Sequence, residues 1–192
     1  MNDAAGVCRR RATCRLCDSG DLSLVLSLTP TPPANAFVTA DALNAPQECF
    51  PLDLSLCGEC GHLQLLHVVD PSLLFADYVY VSGTSPSFVA HFEDYAASVI
   101  KAYQPPPGAL VVDIGSNDGT LLGFFQQAGM AVQGIDPARD IAKAASEVGI
   151  ETLNAFFDAA LAVQIREKKG AAAVVTANNV FAHIDDLASM VA

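Results

Sequence analysis

The stretch "VVDIGSNDGTLL", Val111 to Leu122, constrains the fold more than any other part of the chain. An apolar run ends at Asp113, Gly115 and Gly119 bracket a Ser-Asn-Asp turn, and a helix-forming segment follows. That order is strand, tight turn and helix start. The same alternation continues from Ala109 onward. It predicts strands at 109–114, 131–135, 150–153 and 172–177 and helices at 119–128, 138–148 and 157–168. Strands that alternate with helices of this length form a parallel sheet of Rossmann type with helices packed on it.

Upstream the pattern changes. Residues 1–67 hold all six cysteines. "DLSLVLSL" and "FPLDLSLC" alternate apolar and polar residues, as half-buried strands do. "TPTPPANAF" between them predicts a loop, because proline cannot donate to a strand ladder. Residues 68–108 read as a connector. Phe88, Phe92, Tyr95, Val99 and Tyr103 fall at steps of three and four, the face of an amphipathic helix, and "QPPPG" ends it. The expected fold is therefore α/β, a small β-rich lobe followed by a partial Rossmann-like sheet over 109–192. The sheet is expected to be incomplete, since doubly wound sheets usually continue past a fourth strand. The chain thus reads as a fragment of a longer protein.

Composition narrows the function. Apolar residues make up 52% of the 192 residues, and the formal net charge is -11. That acidic balance opposes binding to nucleic acid or to an anionic membrane. The cluster Arg9–Arg11 with Arg15 is small and reads as a solvated arm. No apolar run reaches the ~20 residues that span a bilayer, and "MNDAAGVCRRRATC" lacks the apolar core of a signal peptide. The expected location is the cytoplasm. In that reducing compartment cysteines serve as thiolates or metal ligands rather than disulfides.

Cys14-x2-Cys17 and Cys57-x2-Cys60 form two such pairs about forty residues apart. Two knuckles of this kind close a four-thiolate tetrahedral site for Zn²⁺. With no open coordination position, the zinc is expected to be structural. A redox CxxC would open a helix in a thioredoxin-like unit, whereas Cys57 follows a strand-like run. His62 could replace a sulfur, but Cys60 fits better. Cys8 and Cys49 are left over, and Cys49 beside Phe50 is expected to be a small buried hydrophobe. Zinc ribbons often bind nucleic acid; the net charge makes that the lesser reading here.

The glycine turn is not a dinucleotide fingerprint. G-x-G-x-x-G starting at Gly115 needs glycine where Asn117 and Thr120 stand, and Asp118 would repel a pyrophosphate. S-adenosylmethionine has no phosphate. It offers an ammonium, a carboxylate, a sulfonium and a ribose diol. Asp113 at the end of the first strand suits the amino-acid end, and glycines 115 and 119 let the backbone approach. Asp136, about twenty residues on, suits the ribose hydroxyls. The alternative is that the glycines serve only to turn the chain.

The segments "CRLC", "PPANAF", "CGECGHLQL", "DYVYVSGTS", "VVDIGSNDGTLL", "GIDPA" and "NNVFAHIDDL", in this order, resemble the bacterial C-methyltransferases of nucleotide-linked 4-keto deoxysugars. The resemblance covers nearly the whole chain. It implies zinc on Cys14, Cys17, Cys57 and Cys60, and S-adenosylmethionine on Asp113, Gly115, Asn117, Gly119 and Asp136, with Asn178 and Asn179 near the methyl donor. It implies a nucleotide-sugar substrate, with Tyr78 and His183 catalytic and Tyr80 and Ser82 at the sugar. Proton removal beside the ketone would give an enolate, whose oxygen Tyr78 and His183 stabilise. The family's base lies in a Tyr-x-Glu-His-type motif after the fifth strand, beyond this chain, and its absence argues against turnover by these residues alone. A monomer is expected. Bland readings stand beside these: Tyr78 and Tyr80 alternate like packed strand residues, and His183 could cap the next helix. A non-catalytic module and an O- or N-methyltransferase are the alternative functions.

Overall fold

A computed structural model describes residues 7–191 of the chain; the first six residues of the lobe read over 1–67, and the last residue of the sheet region read over 109–192, lie outside them. The described chain divides into two compact units, 7–76 with 185–188 and 77–184 with 189–191. The segment read as a connector is shared between them.

In the first unit, β1 (Cys8–Arg10) pairs antiparallel with β5 (His67–Val69). A second antiparallel sheet has the order β2 (Leu22–Thr31), β3 (Phe50–Cys57), β4 (Leu63–Leu65). Helix α1 (Pro71–Phe75) starts at Asp70, whose carboxylate accepts from the Ser72 N–H at 2.8 Å. Three expectations are corrected here. The proline loop starts later than read, because Thr29, Pro30 and Thr31 belong to β2. Proline is tolerated there because β2 is an edge strand and its register to β3 slips between Leu28 and Thr31. Nor is β2 half-buried: Leu24, Leu26 and Leu28 are 63%, 46% and 47% exposed. The central strand β3 carries the buried residues Phe50, Ser55 and Cys57 instead. Cys49, expected inside, is exposed, for it precedes β3 in the long β2–β3 loop and has no sheet behind it.

The second unit opens its regular structure with α2 (Pro86–Tyr103). Phe92 and Ala96 are buried, and Tyr95 and Val99 pack beside them. Tyr103, assigned to the same face, is exposed in the last turn. Gln104 then takes a left-handed φ of 48° and closes the helix, its N–H on the Ile100 carbonyl. Four parallel strands follow in the order β8 (Thr152–Leu153), β7 (Ala131–Ile135), β6 (Leu110–Ile114), β9 (Ala172–Thr176). Parallel neighbours need long crossovers. Helices α3 (Thr120–Gln127), α4 (Arg139–Glu147) and α5 (Ala159–Lys169) supply them, and α6 (Leu187–Val191) ends the described chain. This is the parallel α/β sheet with flanking helices expected from the sequence.

Residue alternation along β6 builds the two core faces. Val111 joins Phe92, Leu121, Leu122, Phe125 and Val132 on the face covered by α2 and α3. Leu110, Val112 and Ile114 join Ile135 and Ile165 on the face covered by α5. Phe125 is fully enclosed; burying one such side chain contributes roughly 1.5–3 kcal/mol. The strand order also places the site. Chain progress runs β6, β7, β8 to one side, and β9 then lies on the other side of β6. Ligands of open parallel sheets bind at the carboxyl ends of the strands at such a reversal. No helix among the described residues is long and apolar enough to cross a membrane.

Candidate functional site

The four cysteines of the paired motifs come together. Their sulfurs all lie within 4.8 Å of one another, with Cys14 to Cys60 at 3.7 Å and Cys17 to Cys57 at 3.6 Å. A tetrahedron with Zn–S bonds of about 2.3 Å has sulfurs about 3.8 Å apart, so the group fits the metal. The two knuckles are built alike. Asp18 donates its N–H to the Cys14 carbonyl, and Gly61 donates to the Cys57 carbonyl, each at 3.0 Å. Both residues are left-handed, with φ of 58° and 73°. A Cβ on Gly58 would sit 2.1 Å from Asp21 Oδ2, so a side chain there would have to displace the Asp21 carboxylate. The thiols already behave as a set. Burial pushes Cys14 up, but N–H groups of Leu16 and Cys17 and the sulfurs of Cys60 and Cys17 outweigh it and bring it down to about 7. The Ser19 N–H draws Cys17 down, yet the Cys60 thiol, burial and the Cys57 thiol drive it up to about 12. For all four to ionise at this spacing, a cation would have to sit among them.

The second site lies at the carboxyl ends of β6, β7 and β9. In register, Asp113 stands between Gly134 of β7 and Thr176 of β9. It is 3% exposed, and its Oδ1 accepts from the Thr176 hydroxyl at 2.6 Å. Burial raises its carboxyl to about 7, against the pull of the Thr176 hydroxyl and with help from the charge of Asp136. Asp136 ends β7. Its two oxygens accept from the Asn117 and Ala138 N–H groups, both at 2.8 Å. Burial nonetheless holds this carboxyl above its ordinary value.

Between the two acids runs the turn. Gly115, Asn117 and Gly119 all have positive φ, of 70°, 51° and 77°. A Cβ on Gly115 would meet Val180 at 2.6 Å, and one on Gly119 would meet Ile150 at 2.7 Å. Glycine is therefore required by contact as well as by conformation. After β9, the Asn178 amide nitrogen is buried with no hydrogen-bond partner among the described residues, as is the Ser116 hydroxyl. Two buried, unmatched donors at the strand ends suit a ligand that carries carboxylate or hydroxyl oxygens. Asn179 adjoins them with φ of 56°.

The tyrosines are not strand residues. Residues 77–81 form no strand, and a 3₁₀ turn follows at Ser82–Thr84. Their backbone pairs with side chains of the turn instead. Asn117 Oδ1 accepts from the Ser82 N–H and its Nδ2 donates to the Tyr80 carbonyl, each at 2.9 Å. Asp118 Oδ2 accepts from the Gly83 N–H at 2.7 Å. Tyr80 is exposed, Ser82 buried and Tyr78 between the two. His183 ends a 3₁₀ turn, Phe181–His183, and is exposed. The next helix starts four residues on, at Leu187.

Residues 88–192 match the family described as a methyltransferase domain. The chain belongs to that family. Residues 14–75, which hold the four-cysteine cluster, match a zinc binding domain family. C-methyltransferase NovU of Streptomyces niveus is 36% identical over 174 residues, 91% of this chain and 41% of the relative. The chain thus spans less than half of that relative's length. A methyltransferase domain implies S-adenosylmethionine, and the unmatched donors of Ser116 and Asn178 beside two acids fit its carboxylate, ammonium and hydroxyl groups. Ser116 and Thr176 were not among the residues expected from sequence. The one signal for Thr176 is a lone hydroxyl closing the aliphatic run "AAAVVT" level with Asp113.

Proposed function

We propose that this methyltransferase-family protein transfers a methyl group from S-adenosylmethionine to carbon, on a nucleotide-linked 4-keto deoxysugar beside its ketone. The observation that carries the reading is the 36% identity, across zinc-binding and methyltransferase regions alike, to a protein named as a C-methyltransferase. Support for the sugar comes from the ordered motifs around Tyr78, Tyr80, Ser82 and His183.

Bound S-adenosylmethionine would supply an electrophilic methyl. The protein's part is binding and charge control. Asp113 and Asp136 would hold the ammonium and ribose ends, and Asn178 and Ser116 would donate to oxygens. Gly115 and Gly119 keep the backbone close, and Asn179 shapes the far wall. On the acceptor side, a general base outside the residues named here would take the proton next to the ketone, leaving an enolate. Tyr78 and His183 would donate to its oxygen as charge grows there, the interaction that lowers such barriers most. Tyr80 and Ser82 would hold the sugar. Zn²⁺ on Cys14, Cys17, Cys57 and Cys60 would be structural, because four thiolates leave no site for substrate.

The test uses protein carrying this chain, methyl-labelled S-adenosylmethionine and a TDP-4-keto-deoxysugar, with the product read by NMR. A labelled methyl bonded to the carbon beside the ketone is expected. A labelled methoxy or N-methyl product would overturn the carbon assignment.

A further inference from the structure

The segment from Asp77 to Gly83 carries proposed acceptor-side residues, yet it is held by the cofactor turn. Asn117 matches its extended backbone as a neighbouring strand would. Its single amide group takes the N–H of Ser82 and gives to the carbonyl of Tyr80, two residues apart on one edge of the segment. Val81 between them is extended, with φ of -121° and ψ of 122°. Asp118 adds the Gly83 N–H while its other oxygen accepts from the Thr120 N–H and hydroxyl. The approach is close, for a Cβ on Gly83 would lie 2.7 Å from Asp118 Oδ2. An exposed ion pair of Asp77 with Arg139 holds the start of the segment. Asn117 continues inward as well, since its N–H donates to Asp136.

Resting on the proposed function, we infer that Asn117 and Asp118 are positioning residues that tie the Tyr80–Gly83 strap to the cofactor turn, so that cofactor and acceptor binding are coupled. The Asn117 amide gives one acceptor site and one N–H to the strap, a positioning role that stands beside the cofactor contact implied for it from sequence. A ligand that fixes Asp136 fixes the Asn117 backbone, and the Asn117 side chain passes that order to residues 80 and 82. Coupling of this kind is reciprocal: whatever factor the cofactor adds to acceptor affinity, the acceptor adds to cofactor affinity.

Hydrogen–deuterium exchange tests this on the whole chain. Asn117→Gly keeps the left-handed backbone and deletes the amide. Without ligand it should speed exchange at Ser82 by about fivefold or more, the factor of one ordinary hydrogen bond, while the β6 amides stay protected. Asp118→Ala should do the same at Gly83. In the unaltered chain, S-adenosylhomocysteine should slow both amides, and in Asn117→Gly the slowing at Ser82 should vanish although calorimetry still shows binding. Unchanged Ser82 exchange in ligand-free Asn117→Gly overturns the anchor. Bound S-adenosylhomocysteine that leaves both amides unaffected overturns the coupling. No binding of S-adenosylhomocysteine to the unaltered chain overturns the cofactor reading and the coupling with it, and the ligand-free comparison still decides the anchor.

Discussion

Thr176 Oγ1 donates to Asp113 Oδ1 at 2.6 Å between two neighbouring strands, with both residues buried. One hydroxyl does not offset the desolvation of the carboxylate, and the Asp113 carboxyl stands at about 7. From its ordinary value near 4 up to about 7, the native state keeps a proton that the unfolded chain has lost. Stability without ligand should therefore fall as pH rises through that window, by up to about 4 kcal/mol at about 1.4 kcal/mol per unit. Asp113→Asn should flatten the slope and raise the Tm at pH 8. Melting curves from pH 4 to 8 check both; a parallel slope in the variant would assign the effect elsewhere. Cofactor affinity should move oppositely, rising with pH as Asp113 ionises.

Asp136 accepts two backbone N–H groups and is proposed to take the ribose hydroxyls. Asp136→Ala should weaken S-adenosylhomocysteine binding by roughly 1–3 kcal/mol, the scale of hydrogen bonds to a charged group. Calorimetry reads the change directly, and an unaltered affinity would remove Asp136 from the site.

The cysteine cluster should bring about one Zn²⁺ per chain in protein purified without chelator. Cys57→Ser should release it and lower the stability of the first unit, because structural zinc contributes to folding directly. Elemental analysis well under half an equivalent in the unaltered protein would sink the zinc reading.

Gly119 and Gly149 both have positive φ, but only at Gly119 would an added Cβ meet a neighbour, the buried Ile150. Gly119→Ala should cost roughly 2–4 kcal/mol from overpacking and backbone strain together. Gly149→Ala meets nothing within 4 Å and should cost only the roughly 1–2 kcal/mol of the left-handed backbone. Urea denaturation of the pair separates the two contributions; equal losses would show that Ile150 yields.

The parallel sheet was legible because its strands are short, mostly apolar runs spaced by helical segments: "LVVDI" is buried throughout and interrupted only by Asp113, and "AAVVT" closes on Thr176. The knuckles were legible because their ligands are local in sequence. What failed depended on surroundings. "DLSLVLSL" has the alternation of a half-buried strand, but at the edge of a three-stranded sheet its leucines face outward. Pro30 fits a strand only because a bulge and an edge adjoin it. Tyr78 and Tyr80 alternate, yet the partners of their segment are side chains far along the chain, Asn117, Asp118 and Arg139, and no periodicity encodes that. The carboxylate of Asp118, read as a repulsion toward phosphate, proved to be an anchor for Gly83.

The matched knuckles have a consequence for how the metal cluster could come apart. Each knuckle contributes one enclosed cysteine, Cys14 or Cys57, and one solvent-facing cysteine, Cys17 or Cys60. A chelator or oxidant arriving from water therefore meets one sulfur of each arm first. The two enclosed sulfurs belong to different arms, so Zn²⁺ held by all four would be shielded from water by Cys14 and Cys57, one from each arm, and open to it at Cys17 and Cys60.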